Sequence, residues 1–190
     1  LLDTRGLCTL CDGAADGLVQ DFALMLARPR TAEDTRDLLS QILNHWVAGV
    51  EQLRVVGLER PAQGADAQGR ATGMARALSG CAALERQARW QALGSVLVPP
   101  GDPPPPWNPG VSAPTLDQLL QAEGHEAVSA HLRSSMPRAD AAVRAAGNNQ
   151  RTAMLEAARL LAELKGVVEA DAAPALDVRI RPSTLTAGRD

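Results

Sequence analysis

Residues 99 to 114 read PPGDPPPPWNPGVSAP, and this stretch constrains the chain more than any other. Four consecutive prolines cannot enter a helix, because each lacks an amide donor and its ring clashes with the preceding turn. The stretch predicts polyproline II, a semi-rigid spacer of up to about 50 Å. The rest of the 190-residue chain carries apolar residues at intervals of three and four. The expected fold is therefore all-α: an antiparallel helical bundle or hairpins, compact or elongated, with a proline-rich spacer and an extended C-terminal tail. The expected divisions are a three-helix segment over 1–98, the linker over 99–114, a helical hairpin over 115–170 and the extended tail over 171–190.

In the first segment, Leu7, Cys11, Ala14, Leu18, Phe22 and Met25 share one helical face over residues 4–27, and Pro29 stops that helix. A second helix is expected over 32–58. Thr31 is placed to cap it, and Glu33, Asp34 and Asp37 suit its positive end. Leu39, Ile42, Trp46, Val50 and Leu53 form its predicted buried stripe, widened by Leu38, Leu43 and Val47. Pro61 is expected to end it. A third helix, over 71–95, places Met74, Leu78, Cys81, Leu84 and Ala88 on one face, with Trp90, Leu93 and Leu97 on the adjoining one.

After the prolines, Thr115 and Gln118 have capping-box spacing. Gly124 is expected to split the helix that follows. Pro137 fits the first turn of a further helix, with Ser135 as its cap. Gly147, Asn148 and Asn149 interrupt the pattern again. Over 150–170, Met154, Ala157, Leu161, Leu164 and Val168 form a heptad-like seam. In the tail, Leu176, Val178 and Ile180 alternate with Asp177, Arg179 and Arg181, which predicts one short strand before Pro182. A lone strand stays extended in water or adds to another chain's sheet.

The residues that could carry chemistry do not converge. Cys8 and Cys11 form a C-x-x-C, but a tetrahedral metal site needs a second pair, and Cys81, His45, His125 and His131 are not spaced to supply it. Cys11 also falls on a core position of its helix. His125 and His131 lie on opposed sides of a helix. Ser134 and Ser135 lack a nucleophile-elbow pattern, and no glycine-rich phosphate loop occurs. Asp34 with Arg36 and Glu85 with Arg89 read as charges on solvated faces. No catalytic, cofactor-binding or metal-ligating residue is assigned, and no cofactor is expected.

Nucleic acid is argued against by charge. The net charge is −3, and the stretch 115–133, which can be drawn as helix–turn–helix, sets Arg133 alone against Asp117, Glu123 and Glu126. Arg179, Arg181 and Arg189 give the tail a sparse positive character.

Composition adds context. There are 34 Ala, 18 Arg and one Lys, with two Ile, one Phe and no Tyr, the pattern of a very GC-rich genome such as that of an actinobacterium, a phage, an alphaherpesvirus or a green alga. The composition is similar to that of herpesvirus tegument proteins and of many phage and actinobacterial proteins. A first residue other than Met suggests a fragment or a processed product. No stretch reaches the roughly 20 apolar residues of a membrane span, and three cysteines do not make a disulfide framework, so an intracellular, reducing compartment is expected, or a virion or infected cell if the source is viral.

The expected function is a non-enzymatic structural or protein-interaction segment of a larger protein or assembly (scaffold, stalk or virion component), with a protein partner or self-association. An oligomeric nucleic-acid or packaging adaptor is the alternative, and an enzyme with an unrecognised site comes third. The expected contact residues are Trp46, Trp90, Trp107, Leu176, Val178 and Ile180.

Overall fold

Thr31 caps the first described helix. Its hydroxyl accepts the Asp34 N–H at 3.1 Å, and the Asp34 carboxylate accepts the Thr31 N–H at 3.0 Å, so two otherwise orphaned donors satisfy each other's side chains. The structure, a computed structural model, describes residues 31–64, 82–99 and 114–181. The chain groups into two compact units, Leu1–Thr35 and Arg36–Asp190. Of the first, only residues 31–35 are described. The expected helix over 4–27, the three cysteines, Met74, Leu78 and Trp107 lie outside the described residues.

The fold is all-α, and no strand occurs among the described residues. Helix α1, Ala32–Arg54, buries Leu43, Trp46, Val47, Val50 and Leu53. Ile42, expected in that stripe, is 41% exposed. The buried face is turned toward Leu43 and Val47, which the sequence placed at the stripe's edge. Both candidate stripes share Trp46, Val50 and Leu53, so periodicity alone could not choose between them. The chain continues as a π-helix, Val55–Glu59, whose wider turn keeps Val55 and Leu58 both buried. A helical turn, Arg60–Ala62, follows. Pro61 therefore does not end the element but sits inside its last turn, where it withholds one N–H from the carbonyls of the preceding π-helix.

Helix α2, Ala82–Leu97, buries the adjoining face of Trp90 and Leu97 and turns the Leu84 and Ala88 face outward. Leu84 is 68% exposed, whereas Arg86, Trp90, Gly94 and Leu97 are buried. Alanines on every side leave this helix no dominant apolar stripe, so its largest side chain, Trp90, decides the inward direction. Two glycines mark where it is crossed closely. A Cβ on Gly49 of α1 would lie 2.9 Å from Leu93 Cδ2, and one on Gly94 would lie 3.1 Å from Met136 Cε.

Helix α3, Leu116–Ala122, begins with the capping box read from Thr115 and Gln118. Gly124, at φ 82°, separates it from α4, Glu126–Ala145. Here the expected break at Ser134 and Ser135 does not occur. Helix α4 runs through Pro137, which is exposed, while Met136, Ala139, Ala142 and Val143 continue the buried face past it. Proline withholds the N–H that the Arg133 carbonyl would otherwise receive, and packing on the opposite face carries the helix across that gap. The interruption expected at 147–149 is a 3₁₀ turn, Ala146–Asn148, closed by Asn149 at φ 57°. Helix α5, Arg151–Val167, then presents the predicted seam: Met154, Ala157, Leu161, Leu164 and Val168 are all buried.

A second π-helix, Val168–Ala172, and a helical turn, Ala173–Ala175, carry the chain further as helix than expected. The tail is thus not extended from residue 171. It leaves the helix at Leu176 and Asp177.

Helices α4 and α5 pack most extensively, as a hairpin; α3 lies on α4; α2 touches α3, α4 and the Ala146–Asn148 turn; and α5 packs on the π-helix that follows α1. Helices from either side of the 99–114 stretch therefore share one core. Leu43, Leu120, Leu132 and Leu161, from α1, α3, α4 and α5, are each at 0% exposure within it. Burying each such side chain contributes about 1.5–3 kcal/mol. Among the described residues no helix is long and apolar enough to cross a membrane.

Candidate functional site

Three polar joints hold these helices in register, and one polar edge of α1 faces the tail. The first joint uses the two described tryptophans. The Trp46 indole N–H donates to the Leu93 carbonyl at 2.9 Å, tying α1 to α2. The Trp90 indole N–H donates to the Asp140 carboxylate at 3.2 Å, tying α2 to α4. Both rings are 2% exposed. A buried indole without a partner would carry a desolvated donor, so each bond fixes ring orientation as well as helix register.

The second joint is centred on Asp117 of α3. Its carboxylate accepts from Ser129 Oγ at 2.6 Å, Arg133 Nε at 2.9 Å and Gln121 Nε2 at 2.9 Å. Burial pushes the Asp117 carboxyl up, but these hydrogen bonds and the Arg133 charge outweigh it, and the group sits below the usual carboxylate range. Spacing of four places Asp117 beside Gln121 and Ser129 beside Arg133, but does not show that the two pairs meet across the α3–α4 break. The one arginine in residues 115–133 is spent on the aspartate.

The third joint gathers charges where α1, α5 and their π-helical extensions meet. Glu51, 5% exposed, pairs with Arg54 at 2.5 Å and with Lys165 at 3.8 Å. Arg54 also pairs with Glu59, and Lys165 with Glu169 at 3.5 Å. The hydrogen bond from Arg54 holds the Glu51 carboxyl below its ordinary range against the opposing effect of burial, helped by the charges of Arg54 and Lys165. Nearby, the Arg86 guanidinium donates to the Ala146 carbonyl at 3.1 Å and to Asn149 Oδ1 at 3.0 Å. Burial pushes its pKa down, yet it caps the α4–α5 turn from α2.

The edge of α1 carries Ser40 and Asn44. Ser40 Oγ donates to the Arg179 carbonyl at 2.6 Å, and Asn44 Oδ1 accepts the Arg181 N–H at 2.7 Å. Val178 is buried, and Leu176 and Ile180 are partly buried against the core. No strand forms there; the backbone groups left by the absent ladder are met by α1 side chains instead. Of the expected contact residues, Trp46, Trp90 and Val178 lie inside the chain's own core, Leu176 and Ile180 line its edge, and Trp107 falls outside the described residues.

Along α1 and the π-helix that follows it, a groove of about 420 Å³ runs from His45 to Arg60, with Gly49, Val55 and Val56 among its lining residues. His131 Nδ1 lies 3.7 Å from the Asp171 carboxylate in a pair half exposed to water, and His125 precedes α4 at its N-terminal boundary. The histidines are not brought together. Among the described residues no group of three or more His, Cys, Asp or Glu side chains is placed to hold a metal ion. Glu85 and Arg89, expected as charges on a solvated face, are joined at 2.8 Å, with the Glu85 side chain only 20% exposed, whereas Asp34 serves the helix cap and Arg36 lies 3.7 Å from the Asp177 carboxylate. Comparison of the chain with protein-family models, with curated proteins and with solved structures finds no match.

Proposed function

We propose that this chain is a structural, protein-binding segment of a larger protein or assembly, and that its first partner is a copy of itself. The observation that supports this reading is the use made of the interior polar groups. Asp117, Glu51, Arg86 and the indoles of Trp46 and Trp90 are each engaged by another part of the fold, so their chemistry is spent on holding helices at fixed positions. Such joints cost side-chain entropy and desolvation, and what they confer is a rigid surface rather than a reactive one. An Ala-rich chain buries little area per helix contact, which favours association as a further source of stability. Sedimentation velocity over a wide concentration range tests the reading. Reversible association that persists at high salt is expected. A compact monomer at every concentration would overturn it, and retention on DNA that falls steeply with salt would favour the nucleic-acid adaptor instead.

A further inference from the structure

Apart from an exposed pairing of Asp177 with Arg36 at 3.7 Å, the polar contacts that hold the tail on α1 are made by its backbone. Arg179 offers its carbonyl and Arg181 its N–H to the same edge, the pairing that residues i and i+2 of an extended chain present on one side. Asn44 is suited to read it, because one amide carries both an acceptor and a donor. Its Oδ1 takes the Arg181 N–H at 2.7 Å, and its Nδ2 reaches the Ser40 carbonyl at 2.7 Å, with the Arg179 carbonyl at 3.5 Å. Ser40 Oγ completes the set on that carbonyl at 2.6 Å. Within residues 178–181, side-chain preference enters through Val178, which is buried, and Ile180, which is half-buried.

The tail also has a defined hinge. The Val178 N–H donates to the Ala173 carbonyl at 2.9 Å and the Asp177 N–H to the Pro174 carbonyl at 3.1 Å, the paired bonds of a Schellman cap. The left-handed position of that cap holds Asp177 at φ 54°, where glycine would be preferred. Beyond the hinge, hydrogen bonds at an exposed helix edge and one buried valine hold residues 178–181. That places them at the low-stability end of the fold.

We infer that the Ser40–Asn44 edge of α1 is a docking site for an extended Val-x-Ile segment, occupied in the chain by its own residues 178–181 and open to the same segment of a second copy. The contacts made in trans are those made in cis, so exchange needs only the hinge to swing. The inference rests on the tail geometry and not on the scaffold role, and it stands or falls separately from it.

Two measurements on the full chain test it. The Arg179–Ile180 bond follows the carbonyl that Ser40 holds, so its cleavage by trypsin reports release of the tail. Removing both polar readers in the S40A/N44A double variant is expected to speed that cleavage by about tenfold or more, with helicity by circular dichroism unchanged; an unchanged rate overturns the inference. A labelled peptide of residues 174–181 is then titrated into the full chain and followed by fluorescence anisotropy. Val178→Asp, which ejects the resident tail, is expected to bind the peptide about tenfold more tightly than the parent chain, and the S40A/N44A changes on that background are expected to abolish binding. Ile180→Asp serves in the same role if Val178→Asp does not fold. Absence of peptide binding to a folded, tail-ejected chain refutes the site, as does binding indifferent to Ser40 and Asn44.

Discussion

Replacing Trp90 with phenylalanine removes one hydrogen bond and one ring's worth of packing from the joint between α2 and α4. Trp90 is 2% exposed and donates to Asp140 at 3.2 Å. A bond to a charged acceptor contributes about 1.5–3 kcal/mol. The Asp140 side chain is 35% exposed, so solvent screening places this one near the lower end. The missing ring leaves a void beside side chains that have already committed to their rotamers, worth about 1–2 kcal/mol more by the cavity scale for core truncations. The sum for Trp90→Phe is about 2–4 kcal/mol, a large share of the stability of a domain this size. Urea unfolding followed by circular dichroism measures it, and the unfolding slope should not change. A double-mutant cycle with Asp140→Ala isolates the bond; a coupling of about 1 kcal/mol is expected for side chains in contact. Loss of less than about 0.5 kcal/mol in Trp90→Phe, or a coupling of zero, would refute the reasoning that α2 is pinned to α4 through this indole.

Further outcomes follow from the other joints. Asp117 titrates below its unfolded value, so its contribution is complete above the unfolded carboxylate pKa and is lost as pH falls through the folded one. Stability measured against pH should therefore fall below about pH 4, and Asp117→Asn should flatten that acid limb while costing about 1.5–3 kcal/mol at neutral pH. Gly166→Ala meets no atom within 4 Å of the added Cβ and should stabilise α5 by about 0.5–1 kcal/mol, whereas Gly49→Ala, whose Cβ would meet Leu93 Cδ2 at 2.9 Å, should give none of that gain in the same melts. Pro137→Ala restores a donor for the Arg133 carbonyl in the middle of α4 and should raise the melting temperature, by about 1 kcal/mol or more of added stability; a fall would show that α4 packs only when bent. Asp177→Gly relieves a left-handed aspartate while giving up an exposed pairing with Arg36 at 3.7 Å, and should on balance stabilise the hinge by up to about 1 kcal/mol.

Elements with one dominant periodicity were legible before any coordinate. The α5 seam from Met154 to Val168, the Thr115 capping box and the interruption at Asn149 all stand where spacing put them. What failed has a common physical cause. In α1 and α2, apolar residues occupy more of the circumference than one interface can cover, so sequence offered several faces and tertiary packing chose among them. Trp46, Val47 and Leu43 won over Ile42, and Trp90 with Arg86 won over Leu84. Local rules make Pro137 a helix start, and the continuing buried run of Met136, Ala139 and Val143 overrides them. The polar joints were harder still. Asp117 with Arg133 and Trp90 with Asp140 lie on different helices, and nothing in local sequence announces which charge will meet which donor. The Ser40–Asn44 edge was invisible for the same reason, since its partner groups are backbone atoms 135 to 139 residues away.

The central claim is that helices on both sides of the proline stretch form one core, so that α1 and α5 open together. Native-state hydrogen exchange followed by mass spectrometry measures this directly. Amides in the buried turns of α1 around Val50 and of α5 around Leu161 should exchange with the same free energy, equal to that of global unfolding, and should respond equally to urea. If α5 exchanged at the global limit while α1 opened at a much lower free energy with little urea dependence, the two would be separate units and the account would be contradicted.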